Sequence, residues 1–139
     1  MISFISHSPD ETENFAFGLA NKITSPRLIC LKGDLGAGKT AFTRGFARFF
    51  GIKQGVSSPT FTIMHRYDGT ESINHYDLYR INDYDELVDI GFEEQIENGI
   101  SLIEWPDAFE EYFPADRIII NISRTGNGDD ERIIEVENL

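Results

Sequence analysis

The stretch LICLKGDLGAGKTAFTRGF, Leu28 to Phe46, decides the fold. It opens with LICL, a short continuous apolar run of the kind produced by a strand covered on both faces. A glycine-rich corner follows. Then KTAFTRGFARFFG places Phe42, Phe46 and Phe49 on one helical face before Gly51 ends the helix. Gly33 to Thr40 fits G-x-x-x-x-G-K-[ST] without a mismatch. The glycines let the backbone take angles that a Cβ forbids, so that several N–H groups converge on one anion. Those donors stand at a helix N-terminus, where peptide dipoles add positive potential. Lys39 extends over terminal phosphates as a point charge. Thr40 offers a hydroxyl to Mg²⁺, a cation that takes oxygen ligands and substrate phosphates. The corner reads as a nucleotide-phosphate site.

Upstream, SPDE (Ser8–Glu11) is a helix start, with Ser8 as N-cap, Pro9 at the first helical position and Glu11 reaching back as a capping box. The helix presents Phe15, Leu19 and Ile23 as one apolar stripe, and SPR breaks it. Downstream, TFTIMHRY and ESINHYDLY flank the turn DGT and predict an antiparallel hairpin. DYDELVDIGF reads as a short acidic helix, and GISLIEW as a second buried strand that Pro106 stops. DRIIINIS and ERIIEVEN, separated by RTGNGDD, read as a closing hairpin. The order helix, strand, helix, hairpin, helix, strand, hairpin predicts an α/β fold, a P-loop NTPase-like mixed β-sheet flanked by helices. With no repeat, linker or low-complexity tract, residues 1–139 are expected to form a single domain.

At 15.8 kDa the chain can build a core without disulfides. Its lone Cys30 sits in the apolar run, where a buried, inert thiol is expected. MISFISHSPDE has no basic start, long apolar run or small-residue cleavage site, and reads as mature sequence. A reducing cytoplasm is the expected setting, with no membrane span. The net charge of −12, from 24 acidic and 12 basic residues without a basic cluster, argues against direct nucleic-acid binding. Any role near RNA would run through a partner protein.

A phosphate loop also needs an acid to hold the magnesium shell and a group to position water. In HYDLYR, Asp77 ends a strand, with His75 on the same face two residues earlier. In SLIEWP, Glu104 stands at the C-terminal edge of a buried strand, where ligands of open α/β sheets sit. Glu104 is the favoured Walker-B-like acid and Asp77 the supporting or water-ordering group. SSPTFT, Ser57 to Thr62, is either a plain turn or a loop whose hydroxyls order on Mg²⁺ or a γ-phosphate. Trp105 reads as core filling before base or partner stacking. His7, His65, His75 and Cys30 show no metal-ligand spacing.

GDLGAGKT, SPTF, HYDLYR and IEWP, in this order and spacing, closely resemble the TsaE (YjeE) family, over about the length of a whole member. The resemblance implies an ATP- and Mg²⁺-binding subunit that hydrolyses ATP slowly when alone. It implies work with TsaD, which transfers threonylcarbamoyl to adenosine 37 of ANN-reading tRNAs, and with TsaB, TsaD's dimer partner. Hydrolysis would drive or reset that complex. Carried onto this sequence, Asp34, Leu35, Gly36, Ala37, Gly38, Lys39 and Thr40 hold the nucleotide. Thr40 and Glu104 resemble the magnesium ligands, and Lys39, Asp77 and Glu104 the catalytic set. Glu11 and Thr12 resemble the adenine side, with Asp77 and Arg132 also reaching the nucleotide. Ser58, Pro59, Thr60 and Phe61 resemble a γ-phosphate-sensing switch loop.

Two other readings remain open. A small-molecule or nucleoside kinase would need an acceptor pocket and commonly an arginine-bearing lid, whereas Arg66, Arg80 and Arg124 are scattered along the sequence. A non-catalytic module would use its nucleotide only to gate an interface. Self-association is left undecided by the sequence.

Overall fold

The structure is a computed structural model that describes residues 1–59 and 62–139. The chain runs β1 (Ile2–Ser6), α1 (Pro9–Ala20), β2 (Arg27–Lys32), α2 (Lys39–Phe49), β3 (Met64–Asp68) and β4 (Ser72–Asp77). It continues through α3 (Asp85–Asp89), α4 (Phe92–Gln95), β5 (Ile100–Glu104), a 3-10 helix (Asp107–Tyr112), β6 (Ile118–Arg124) and β7 (Arg132–Glu137). All the strands share one sheet in the order β1-β7-β6-β2-β5-β4-β3. The central strands β6, β2, β5 and β4 are parallel, and antiparallel strands close both edges.

The apolar run in β2 is explained by this placement. Ile29 and Leu31 face α1 and α2, where Ala16, Leu19, Phe42 and Phe46 complete one core. Leu28 and Cys30 face the opposite layer, with Leu87, Phe92, Phe109 and Phe113. Each large side chain buried in this way stabilises the fold by roughly 1.5–3 kcal/mol. Burial, with the Glu110 carboxylate adding to it, pushes the Cys30 thiol up to about 12, so the thiol stays protonated and inert. No helix among the described residues is long and apolar enough to cross a membrane.

The elements differ from the sequence expectation in four places. β1 is a strand that the pattern concealed: it pairs with β7 at the sheet edge, so only Ser6 is fully buried and no clean alternation forms. α1 stops at Ala20, and Ile23 is buried from the turn beyond it. The core face of α1 is Thr12, Ala16, Leu19 and Ala20, while Phe15 stacks on Phe4 of β1 at 4.6 Å. The acidic helix is two short ones, divided at Gly91, whose φ of +80° breaks the helical run. The fourth is the 3-10 helix, which Pro106 starts as well as ending the extended run of β5. At Ser8 the cap forms, with Glu11 N–H donating to Ser8 Oγ at 3.1 Å. The Glu11 carboxylate instead accepts from His7 N–H, one residue before the expected position, also at 3.1 Å.

α1 and α2 cross at Gly45, where a Cβ would stand 2.0 Å from the Glu13 carbonyl oxygen. Alanine in place of glycine favours an isolated helix by about 1 kcal/mol. Forcing two packed backbones apart costs about 1–3 kcal/mol and sometimes more. Gly45→Ala is therefore expected to lower stability by up to about 2 kcal/mol, because a clash with backbone puts the cost at the upper end of that range, read as a fall in the thermal midpoint. A midpoint at or above that of the unmodified protein would show that the helices can separate freely.

Candidate phosphate-binding site

β2 delivers the glycine corner to the carboxyl edge of the sheet, between β5 and β6. Gly36 and Gly38 have φ of +77° and +111°, angles that L side chains rarely adopt. Within the loop, Ala37 N–H donates to the Asp34 carbonyl at 3.0 Å. Two arginines from the closing hairpin hold the loop from outside. Arg132 Nε donates to Ala37 O at 2.9 Å, and Arg124 Nη2 to Gly36 O at 3.2 Å. Because a peptide unit is planar and trans, a carbonyl turned to Arg132 turns the Gly38 N–H away from that arginine. The arginines that looked scattered in sequence thus include one, Arg124, that braces the loop beside Arg132. Its signal was available only through pairing of β6 with β7, which sets Arg124 opposite Arg132.

The acids arrive by register. Asp77 and Glu104 are paired residues at the ends of parallel strands β4 and β5. Side chains alternate along a strand, so Ile73, His75 and Asp77 share the α2 side of β4, as Ile100, Leu102 and Glu104 do on β5. A cleft of about 320 Å³ results, lined among others by Gly36, Gly38, Lys39, Thr40, Ser58, Asp77 and Glu104. Lys39, 7% exposed, places Nζ 3.7 Å from Glu104 Oε1. Burial pushes the Lys39 ammonium below the ordinary lysine range, while the carboxylates of Glu104, Asp77 and Asp34 pull it back.

Glu104 is held from its other oxygen by His75 Nε2 at 2.5 Å. Asp77 Oδ1 accepts from Tyr79 N–H at 2.9 Å, which fixes that carboxylate at the turn after β4. Trp105 departs from the core-filling expectation. It is half-buried, has φ of +55°, and lies with its ring 4.1 Å from Lys39 Nζ. A cation over an indole face is stabilised by the ring's negative quadrupole, so Trp105 helps hold Lys39 over the cleft.

The remaining expected residues fall in different places. Asp34 and Leu35 are exposed, and Leu35 borders the cleft. Thr12 borders a separate small pocket with Ser8, Pro9, Gly38, Ala41, Asp130 and Arg132. The Glu11 carboxylate is tied to His7, whose backbone N–H holds it below the usual carboxylate range. Ser58 lines the cleft and Pro59 is buried, whereas Thr60 and Phe61 lie outside the described residues. Among the described residues no group of three or more His, Cys, Asp or Glu could hold a metal by itself. The donor set at the cleft suits magnesium, which is held by one or two protein oxygens and completed by substrate phosphates.

Residues 6–134 match the family model described as "Threonylcarbamoyl adenosine biosynthesis protein TsaE". The chain belongs to the TsaE family. It is 44% identical over 129 residues to the tRNA threonylcarbamoyladenosine biosynthesis protein TsaE of Bacillus subtilis, covering 91% of this chain and 79% of that one. The protein of the same description from Rickettsia bellii is 34% identical over 136 residues, covering 96% and 93%. The crystal structure of Bacillus subtilis YdiB superposes with a TM-score of 0.78 at 38% identity, covering 96% of this chain and 82% of that chain. The fold is thus the P-loop-like α/β fold of a family that serves tRNA threonylcarbamoyladenosine biosynthesis.

Proposed function

We propose that this protein is the ATP-binding, Mg²⁺-dependent ATPase subunit of the machinery that forms N6-threonylcarbamoyladenosine at position 37 of ANN-reading tRNAs. It acts in the cytoplasm with TsaD-like and TsaB-like partners, whose complex its hydrolysis drives or resets. One observation carries the reading: Lys39, Asp77 and Glu104, from three separate chain segments, converge with Thr40 on one glycine-walled cleft. The Gly36–Gly38 turn and the start of α2 bind phosphate through backbone N–H groups and the helix dipole. Lys39 adds a fixed positive charge where negative charge gathers on the leaving phosphates. Thr40 and Glu104 supply oxygens for the cation, and Asp77 stands beside Glu104 to orient water. Magnesium, when bound, neutralises phosphate charge and so lowers the cost of attack by water.

The acidic balance of the chain supports a protein partner over direct contact with tRNA. Hydrolysis measured with and without TsaB–TsaD-type partners tests the proposal. Release of inorganic phosphate, slow alone and faster with partners, is the expected result. No turnover in either condition, or phosphate appearing on a small acceptor instead of water, would overturn it.

A further inference from the structure

Behind the cleft lies a buried chain of polar groups of which the reading above uses only the Glu104 end. Tyr67 in β3, 7% exposed, and His75 in β4, fully buried, stack obliquely with ring centroids 5.9 Å apart. The Tyr67 hydroxyl is 3.2 Å from His75 Nδ1, and His75 Nε2 is 2.5 Å from Glu104 Oε2. On its other side the same hydroxyl takes the Ser57 N–H at 3.3 Å and lies 3.1 Å from the Ser57 carbonyl. His65 Nδ1 is more distant, at 3.5 Å. Ser57 precedes Ser58, which lines the cleft.

We propose that Tyr67 is a positioning residue that acts through His75 to hold the Glu104 carboxylate and ties that hold to the backbone of Ser57. The inference rests on the reading of Glu104 as the acid of an ATPase. Donor accounting gives the chain a direction. An ionised carboxylate only accepts, so His75 Nε2 carries the hydrogen that spans the contact with Glu104. In a neutral imidazole Nδ1 is then an acceptor to which the Tyr67 hydroxyl, 3.2 Å away, can donate. The phenol oxygen in turn accepts from Ser57 N–H. With the hydroxyl hydrogen on His75 Nδ1 the bonds run in series toward Glu104 and strengthen one another in a low-dielectric interior, whereas donation to the Ser57 carbonyl breaks the series.

The hydroxyl has one hydrogen and two close acceptors, His75 Nδ1 and the Ser57 carbonyl. Moving Ser57 removes both the amide that donates to the phenol oxygen and the carbonyl that competes for its hydrogen. The position of the loop therefore reaches Glu104 through a single hydroxyl, in the way that an outer hydrogen bond fixes the orientation of a ligating or catalytic group.

Tyr67→Phe keeps the ring and deletes the hydroxyl. Steady-state hydrolysis in the presence of TsaB–TsaD-type partners, normalised to the number of ATP-binding sites so that any unfolded fraction drops out, is compared among Tyr67→Phe, His75→Gln and the double variant. Loss of an outer partner costs about 10–100-fold, so Tyr67→Phe is expected to lower kcat about tenfold. KM for ATP should stay within about twofold, because the phosphate loop is untouched. The double variant is expected to fall no further than His75→Gln alone, since both break one chain. Wild-type kcat in Tyr67→Phe, a rise in KM that accounts for the whole loss, or single effects that multiply in the double variant would each overturn the inference. No turnover in the unmodified protein would instead overturn the ATPase reading, and this inference with it.

Discussion

Lys39→Ala is expected to weaken ATP binding by between about tenfold and a hundredfold. Charge-assisted hydrogen bonds contribute about 1.5–3 kcal/mol each, and about 1.4 kcal/mol is a factor of ten in affinity. The upper half of that range is favoured because Lys39 is already placed. Trp105 lies under its ammonium at 4.1 Å and Glu104 flanks it at 3.7 Å, so little side-chain entropy remains to be lost on binding. Calorimetric titration with ATP checks the effect, and an unchanged dissociation constant would show that the backbone N–H groups alone carry the phosphate. The substitution also has a signature without nucleotide. Burial holds the folded pKa of Lys39 below its free value of 10.5, so the unfolded chain binds the proton more tightly. The protonated lysine therefore costs stability, and that cost fades as pH rises through the lowered value and is gone above 10.5. Lys39→Ala should flatten this gain in stability on the alkaline side.

The strand, glycine turn and helix of the corner were readable in sequence because every part of the unit is local. The buried strand, the glycines, the lysine and the amphipathic helix follow one another within residues 28–49, and each imposes its own pattern. The position of Glu104 was readable for a related reason: an acid directly after LI and before WP marks the end of a buried strand. β1 was not, because an edge strand paired on one side mixes exposed Ile2 and Ile5 with a buried Ser6. Its partner β7 lies more than a hundred residues away, and nothing near ISFIS announces it.

The same distinction separates the site residues. Trp105 as a support for Lys39 depends on the backbone angle at the end of β5, which places the indole against the corner. Arg124 as a brace depends on the registry of β6 with β7. The Tyr67–His75–Glu104 chain needs β3, β4 and β5 side by side, although its members stand in unrelated stretches of sequence. His75 was noted for sharing a face with Asp77, but its partner is Glu104 on the neighbouring strand. Alternation within one strand gives the face, and only pairing between strands gives the neighbour.

Glu104→Ala is expected to lower kcat for ATP hydrolysis about a hundredfold or more, loss of one preorganised group that stabilises transition-state charge costing about 10²–10³. ATP affinity should change much less, because the Gly36–Gly38 turn and Lys39 remain. Loss of the carboxylate even frees Lys39 from a competing partner at 3.7 Å. The cost appears elsewhere. Glu104 is the nearest negative charge to a buried ammonium and the acceptor of a buried histidine, and breaking a buried pair destabilises by about 3–5 kcal/mol. Asp77 still faces Lys39 and recovers part of that loss, so a reduction of about 2–3 kcal/mol is expected in the thermal midpoint analysis. Asp77→Ala, measured beside it, assigns the roles. If Glu104→Ala abolishes turnover with binding intact while Asp77→Ala slows it less, Glu104 is the acid at the reacting phosphate and Asp77 orients water from behind it. Normal turnover in Glu104→Ala would move the catalytic assignment to Asp77, and the short contact with His75 would then be holding a structural carboxylate.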